Sequence, residues 1–444
     1  MNRILIKNAW LINEGKRFNA DVWIEGERIK TVTASCLFTG EEIDTIDATD
    51  LLLLPGIIDD QVHFREPGLT YKGDINSESR AAVAGGITSF MDMPNTIPQT
   101  ITVKALNDKF DRASKQSLAN YTFFIGATND NIDELKKEGA KRAAAIKVFM
   151  GASTGNMLVD NERALERIFA ETGQIIAVHC ECEKNITANK ARLIKQYGED
   201  LDITFHPKIR DVEACFNSSS HAVELAKKYN TRLHLFHLST EKEMSLLEAK
   251  PLNEKRITAE VCVHHLWFSD EDYAEKGNRI KWNPAIKSRT DRDALRQALV
   301  EGKIDVVATD HAPHTWAEKQ GSCLQAASGG PMVQHSLTAM LELCRQGIFT
   351  EELVIEKMAH APAVLFGIKD RGFIREGYYA DLVLVNPNAN WTVSKDNLLY
   401  KCGWSPMEGL RFSHKVEKTF VNGHLVYNNG IFDEKYRGKE LKTI

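Results

Sequence analysis

Five residues suited to binding a metal or moving a proton fall in or at the ends of short apolar runs. IIDDQVH (57–63) ends at His63, AIKVFMG (145–151) carries Lys147, QIIAVHC (174–180) carries His179, RLHLFHL (232–238) carries His237, and DVVATDH (305–311) carries Asp310. Three neutral imidazoles and a carboxylate converging on one point form the donor set of a divalent ion such as zinc. Lys147 lies between Ile146 and Val148. An isolated ammonium in apolar surroundings is costly, so this lysine requires a specific partner. The first run departs from an HxH pair, because Gln61 stands where alternation would place a second histidine beside His63. Arg65 follows just beyond it, and Asn95 follows the run ITSFMDM (87–93).

Such residues meet only if the runs are neighbouring strands that end on one side. Together with YTFFIGA (121–127) and TAEVCVH (258–264) there are eight runs, separated by helical stretches such as DINSESRAAVAGG, ERALERIFAETG and SSHAVELAKKYN. Eight strand–helix repeats over about 310 residues imply an α/β fold, a TIM (β/α)8 barrel over 55–366 whose chemistry sits at the C-terminal strand ends. An open doubly wound sheet is the weaker expectation, since no glycine-rich dinucleotide fingerprint follows the early strands. β signals dominate both ends of the chain, where Asn422-Gly423 marks a hairpin. Residues 1–54 and 370–430 are therefore expected to form one small β-sandwich domain, with 431–444 as a C-terminal tail. His234 cannot face inward together with His237 in a regular strand, so it is expected to be structural. His264 is expected to end the seventh strand, with His265 and His311 hydrogen-bonded around the mouth.

Composition narrows the classes of function. The 444 residues are 43% hydrophobic and 26% charged with a net charge of −5, which gives no general attraction to nucleic acid or anionic membranes. No run is long enough to span a bilayer. Eight cysteines without a disulfide-like spacing fit a reducing, cytoplasmic setting. Cys180 and Cys182 flank His179 on the opposite strand face and read as small buried hydrophobes rather than ligands.

The stretches HFREPG (63–68), MPNT (93–96), IKVFMGAS (146–153), VHCE (178–181), HLFHLS (234–239), WNPAIKS (282–288), ATDHAPH (308–314) and YKCGWSPMEG (400–409) resemble those of the dihydroorotases, members of the amidohydrolase superfamily. The resemblance spans nearly the whole chain. It implies reversible hydrolysis of L-dihydroorotate to N-carbamoyl-L-aspartate in pyrimidine biosynthesis, and one or two Zn²⁺ ions per chain. His63, His179, His237 and Asp310 match metal ligands. Lys147 matches a lysine that many members carboxylate to bridge two ions. Arg65, Asn95, Asn283 and His314 match substrate-binding positions, and Ser328 and Gly329 match a substrate loop more loosely, since AASGGPMVQ lacks the Phe-Gly pair found there. Asp310 would take a proton from the attacking water and deliver it to the leaving ring nitrogen.

The same resemblance frames the alternatives. A cyclic amidase of allantoinase or dihydropyrimidinase type would not need Arg65, whose planar fork suits a carboxylate. An inactive homologue serving as a structural partner of aspartate transcarbamoylase is raised by Gln61 alone. A homodimer is a family-level expectation. With Gln61 supplying at most an amide oxygen, the ion nearest the first strand is expected to be held more weakly than the other.

Overall fold

The computed structural model describes residues 3–34, 43–151 and 156–443; the last two residues of IKVFMGAS fall outside them. Eight parallel strand positions follow one another around a barrel: β1 (Ile57–Val62), β2 (Ile87–Asp92), β3 (Asn120–Phe123, resuming at Ile125–Gly126), β4 (Ile146–Phe149), β5 (Ile176–His179), β6 (Leu233–Leu235), β7 (Ile257–Cys262) and β8 (Val306–Ala308). Neighbours in sequence are neighbours in space, as βα repeats require. A parallel bridge between Val62 and His311, with the His63 N–H donated to the His311 carbonyl at 2.7 Å, joins the first position to the last.

The intervening helices start where their sequences supply a cap. Asp74 accepts from the Ser77 N–H ahead of Ile75–Ala84, Asn161 from Ala164 ahead of Glu162–Glu171, and Asp211 from Ala214 ahead of Val212–Tyr229. The last of these ends at Asn230 in the left-handed conformation. Inside the barrel, Ile58, Met91, Phe124, Ala145, Ala177, Phe236 and Val306 pack together, so the lower interior is a filled core and not a pore.

Both ends of the chain supply one nine-stranded sheet. Leu52–Pro55 pairs with Arg3–Asn13 on one side and with Leu382–Asn386 on the other. Alternation divides its residues between two cores: Leu52, Leu54, Val383 and Val385 join the barrel-side cluster, while Leu53, Leu382 and Leu384 pack with Ile4, Ile6, Ile24 and Ile29. Residues near both edges share this second core, so the sheet curls over itself. Gly423 sits where the two ends meet: its φ is +76°, and a Cβ there would lie 2.2 Å from the Gly26 carbonyl oxygen. Asn422 at φ +49° completes the expected hairpin turn between Lys415–Val421 and His424–Asn428.

Three details differ from the sequence reading. The stretch after 430 does not trail free, since Ile431–Phe432 pairs with His424–Asn428 and the Leu441 N–H donates to the Tyr121 carbonyl. The seventh strand stops at Cys262, so His264 begins its life on a short helix, Val263–Trp267, stacked 4.2 Å from Trp282. His234 and His237 both face the barrel interior. The strand ends at Leu235 and His237 takes φ +37°, which breaks the alternation on which the opposite expectation rested.

Candidate active site

At the C-terminal strand ends a cavity of about 330 Å³ is lined by every residue that the sequence offered as a metal or substrate contact: Gln61, His63, Arg65, Asn95, Lys147, His179, His237, Asn283, Asp310, His314, Ser328 and Gly329. Arg65, His237 and Asp310 adopt φ of +69°, +37° and +43°. Non-glycine residues in this region store backbone strain, which is concentrated here where strands turn into loops.

The histidines are oriented by what their second nitrogen touches. His63 donates Nδ1–H to the Asn95 side-chain oxygen at 2.7 Å, leaving Nε2 facing Asp310 Oδ1 at 3.2 Å. Asn95, expected to touch substrate, thus also fixes a tautomer. His179 donates Nε2–H to Glu181 at 2.9 Å, leaving Nδ1 facing His237 Nε2 at 2.9 Å. Glu181 in turn accepts from Arg210 at 2.5 Å. Burial pushes the Glu181 carboxyl up, but the Arg210 guanidinium and His179 hold it at about 2. Burial also holds His179 and His237 below the usual imidazole range, so both are neutral with a lone pair available.

Those features fit a metal centre. The His179 and His237 rings meet nitrogen to nitrogen at 2.9 Å, the carboxylate–histidine pair is the usual support of a ligating imidazole, and buried His237 Nδ1 has no partner. Replacing Glu181 by glutamine should weaken zinc binding by ~10–100-fold, the range for loss of such a support. Competition with a fluorescent chelator reads that change; unaltered affinity would mean that Glu181 serves only Arg210.

Lys147 is wholly buried between the Phe236 ring, 4.0 Å from its Nζ, and the Phe149 ring at 4.8 Å. Among the described residues it has no ion-pair partner. Burial lowers it to about 7, against the attraction of Asp310 and Glu260. The amine is therefore partly neutral at neutral pH.

Opposite the imidazoles the cavity is cationic. Arg65 donates Nε–H to the Pro313 carbonyl at 3.0 Å, and its Nη2 lies 3.1 Å from His314 Nε2. Lys72, which the sequence reading did not single out, lies 3.1 Å from His314 Nδ1 and 2.9 Å from Glu318. Burial and then the charges of Arg65 and Lys72 hold His314 far below the usual imidazole range, hence neutral. A neutral ring has only one acceptor nitrogen, yet both nitrogens face donors. The ring N–H also has the Ser328 carbonyl as acceptor, so what this corner lacks is a counter-charge: Arg65 has no ion-pair partner among the described residues, and an anion would supply one. Asn283 Oδ1 is buried without a partner, an acceptor open to a ligand N–H. Ser328 and Gly329 are held at the rim by buried Lys319, which donates to the Gly329 carbonyl at 2.8 Å.

Among the described residues, two further groups place three ligand-type atoms within 4.8 Å: Asp60–His234–Glu260 and Cys262–His264–His265. In the second, His265 faces the Pro284 carbonyl at 3.1 Å and His264 stacks on Trp282. His311 lies 2.9 Å from Glu78 and accepts from the Met332 N–H, a structural role near the mouth.

A parallel barrel with neutral imidazoles, a lysine and an aspartate gathered at its C-terminal mouth defines a metal-dependent hydrolase. The chain belongs to the amidohydrolase family, whose sequence profile matches residues 52–426. It is 35% identical over 393 residues to a dihydroorotase of Halobacterium salinarum, covering 88% of this chain and 89% of the relative. An allantoinase of Bacillus velezensis is 29% identical over 433 residues, covering 96% and 94%. Among solved structures, an L-hydantoinase (dihydropyrimidinase) from Arthrobacter aurescens superposes with a TM-score of 0.92 at 26% identity, covering 97% of each chain. Among the described residues no helix is long and apolar enough to cross a membrane.

Proposed function

We propose that this enzyme interconverts L-dihydroorotate and N-carbamoyl-L-aspartate. The observation that carries the reading is the cationic corner of Arg65 and Lys72 around neutral His314, where Arg65 has no ion-pair partner among the described residues. A ring carboxylate supplies that partner; dihydrouracil, hydantoin and allantoin carry none. Bound carboxylate would accept from the Arg65 fork, and Asn283 Oδ1 would accept a ring N–H.

His63, His179, His237 and Asp310 would hold one or two zinc ions, with Lys147 between the pairs. The neutral Lys147 amine adds to carbon dioxide and loses one proton, giving a carbamate that replaces a buried cation by an anion. Bound divalent ions supply polarisation of the ring carbonyl and a lowered pKa for water. Asp310 takes a proton from the attacking water and passes it to the ring nitrogen as the C–N bond breaks, transfers that contribute ~10²–10⁴-fold. In the other direction it takes the proton from the ureido nitrogen as the ring closes.

Turnover of dihydroorotate, allantoin and dihydrouracil by one zinc-loaded preparation tests the reading. Preference for either of the latter two overturns it. No turnover of any, with metal present and no partner added, favours an inactive homologue allied to aspartate transcarbamoylase.

Gln61 sets the metal stoichiometry in this reading. Its amide oxygen lies 3.6 Å from Cys262 Sγ and is a neutral, poorer donor than an imidazole. The His63–Asp310 side should therefore release its ion first. Chelator titration is expected to be biphasic, and Gln61→His should merge the phases. Simultaneous loss of two equivalent ions from the unaltered protein rules out the asymmetry.

A further inference from the structure

We propose that the barrel holds a second, separate cation site inside the mouth, formed by Asp60 of β1, His234 of β6 and Glu260 of β7, for a divalent ion of the zinc class. All three residues are completely buried. β1 and β6 are not neighbours around the barrel, so Asp60 and His234 meet across its interior. The register irregularity between Asp59 and Val62 accompanies this: Asp60 and Gln61 both leave simple alternation, one facing His234 and the other the cavity.

Hydrogen bonds commit every other polar atom of the trio and leave the donors bare. The Thr258 hydroxyl donates to the Leu233 carbonyl at 3.1 Å, so it accepts His234 Nδ1–H at 2.9 Å. That leaves Nε2 directed at two carboxylates; burial opposes charge on the ring, but Asp60 and Glu260 raise it to about 9, so an ion entering the trio would displace the Nε2 proton. Glu260 Oε1 accepts the His237 N–H at 3.2 Å and the Cys262 S–H at 3.4 Å, which leaves Oε2. Asp60 Oδ1 and Oδ2, His234 Nε2 and Glu260 Oε2 are all buried without a hydrogen-bond partner. One imidazole nitrogen and one oxygen from each of two carboxylates fill three positions of a tetrahedral set, since the two Asp60 oxygens belong to one carboxylate, and leave the fourth to a small ligand such as water.

Spacing separates an ion from a shared proton. A charge-assisted N–H···O contact closes to ~2.7–2.9 Å. Here Nε2 stands 3.5 Å from Asp60 Oδ2 and 3.9 Å from Glu260 Oε2. Ligand bonds of ~2.1 Å set donor–donor separations of roughly 3.4 Å in a tetrahedron. The trio is thus open to about the width of a coordination sphere. The trio uses none of the mouth's ligand atoms, although Glu260 Oε1 accepts the His237 N–H, and its ion would lie beneath Gln61, where the strand lacks its second histidine.

Anomalous diffraction from crystals of the zinc-loaded full chain, collected on both sides of the zinc edge, tests this. A peak bonded to His234 Nε2 and both carboxylates is expected, whether or not the mouth is filled. Asp60→Asn should lower zinc by one equivalent per chain while mouth peaks persist. A map of the unaltered protein with mouth peaks and none within the trio overturns the proposal, as does a trio closed to hydrogen-bond distance. If Asp60→Asn does not fold, the map of the unaltered protein decides.

Discussion

Replacing Lys147 by methionine is expected to remove dihydroorotate turnover by at least ~10³-fold while leaving the fold intact. The magnitude follows from the role. A metal centre supplies several kcal/mol of transition-state stabilisation, and each ~1.4 kcal/mol is a factor of ten. The intact fold follows from the surroundings. Lys147 Nζ touches aromatic rings and, among the described residues, no carboxylate within ion-pair distance. A methionine of similar length suits those rings, and exchange removes a poorly solvated amine. A cooperative melt at an equal or higher temperature, with zinc lost from the mouth, is the expected pair of results. Full activity in Lys147→Met would show that no carbamate is needed.

A second readout uses pH. Burial holds Lys147 at about 7, and only the neutral amine adds carbon dioxide. Below that value the free-amine fraction falls tenfold per unit. Reconstituting metal-stripped protein should therefore require increasing bicarbonate as the pH drops from 7 to 6, and little change above 8. A bicarbonate requirement independent of pH would mean that the lysine stays uncarboxylated.

The barrel and its mouth were readable because the chemistry interrupts a strong pattern. Apolar runs of four to seven residues tolerate a charged or imidazole side chain only where the strand opens to a cavity, so Lys147, His179 and Asp310 stood out against Ile, Val and Ala. What periodicity could not carry was the local departure from it. His237 is turned by φ +37°, and Asp60 by the irregularity of β1, so neither obeys alternation and the Asp60–His234–Glu260 cluster was not foreseen. Glu181 and Lys72 were missed for another reason. Glu181 supports His179 two residues away, but the Arg210 pair that fixes its charge is made by folding alone, as are the contacts of Lys72 with His314 and Glu318. Gln61 was legible as a substitution, but its contact with Cys262 on β7 was not.

Replacing Arg65 by methionine should lower kcat/KM for dihydroorotate by ~10²–10⁴-fold, because removing one partner of a desolvated charge pair costs roughly 3–5 kcal/mol. Most of the loss should fall on KM if the grip is equal in ground and transition states. Arg65→Lys keeps the charge without the bidentate fork and should recover only part of it. Lys72→Met should have a smaller effect, since Lys72 is also paired with Glu318 at 2.9 Å and lies nearer the rim. The discriminating measurement is the ratio of dihydroorotate to dihydrouracil turnover, because a ring without a carboxylate never uses this corner. Arg65→Met should collapse that ratio with little change in dihydrouracil turnover. Equal loss on both substrates would assign Arg65 to its other visible contact, the Pro313 carbonyl at 3.0 Å, and so to holding the loop that follows β8.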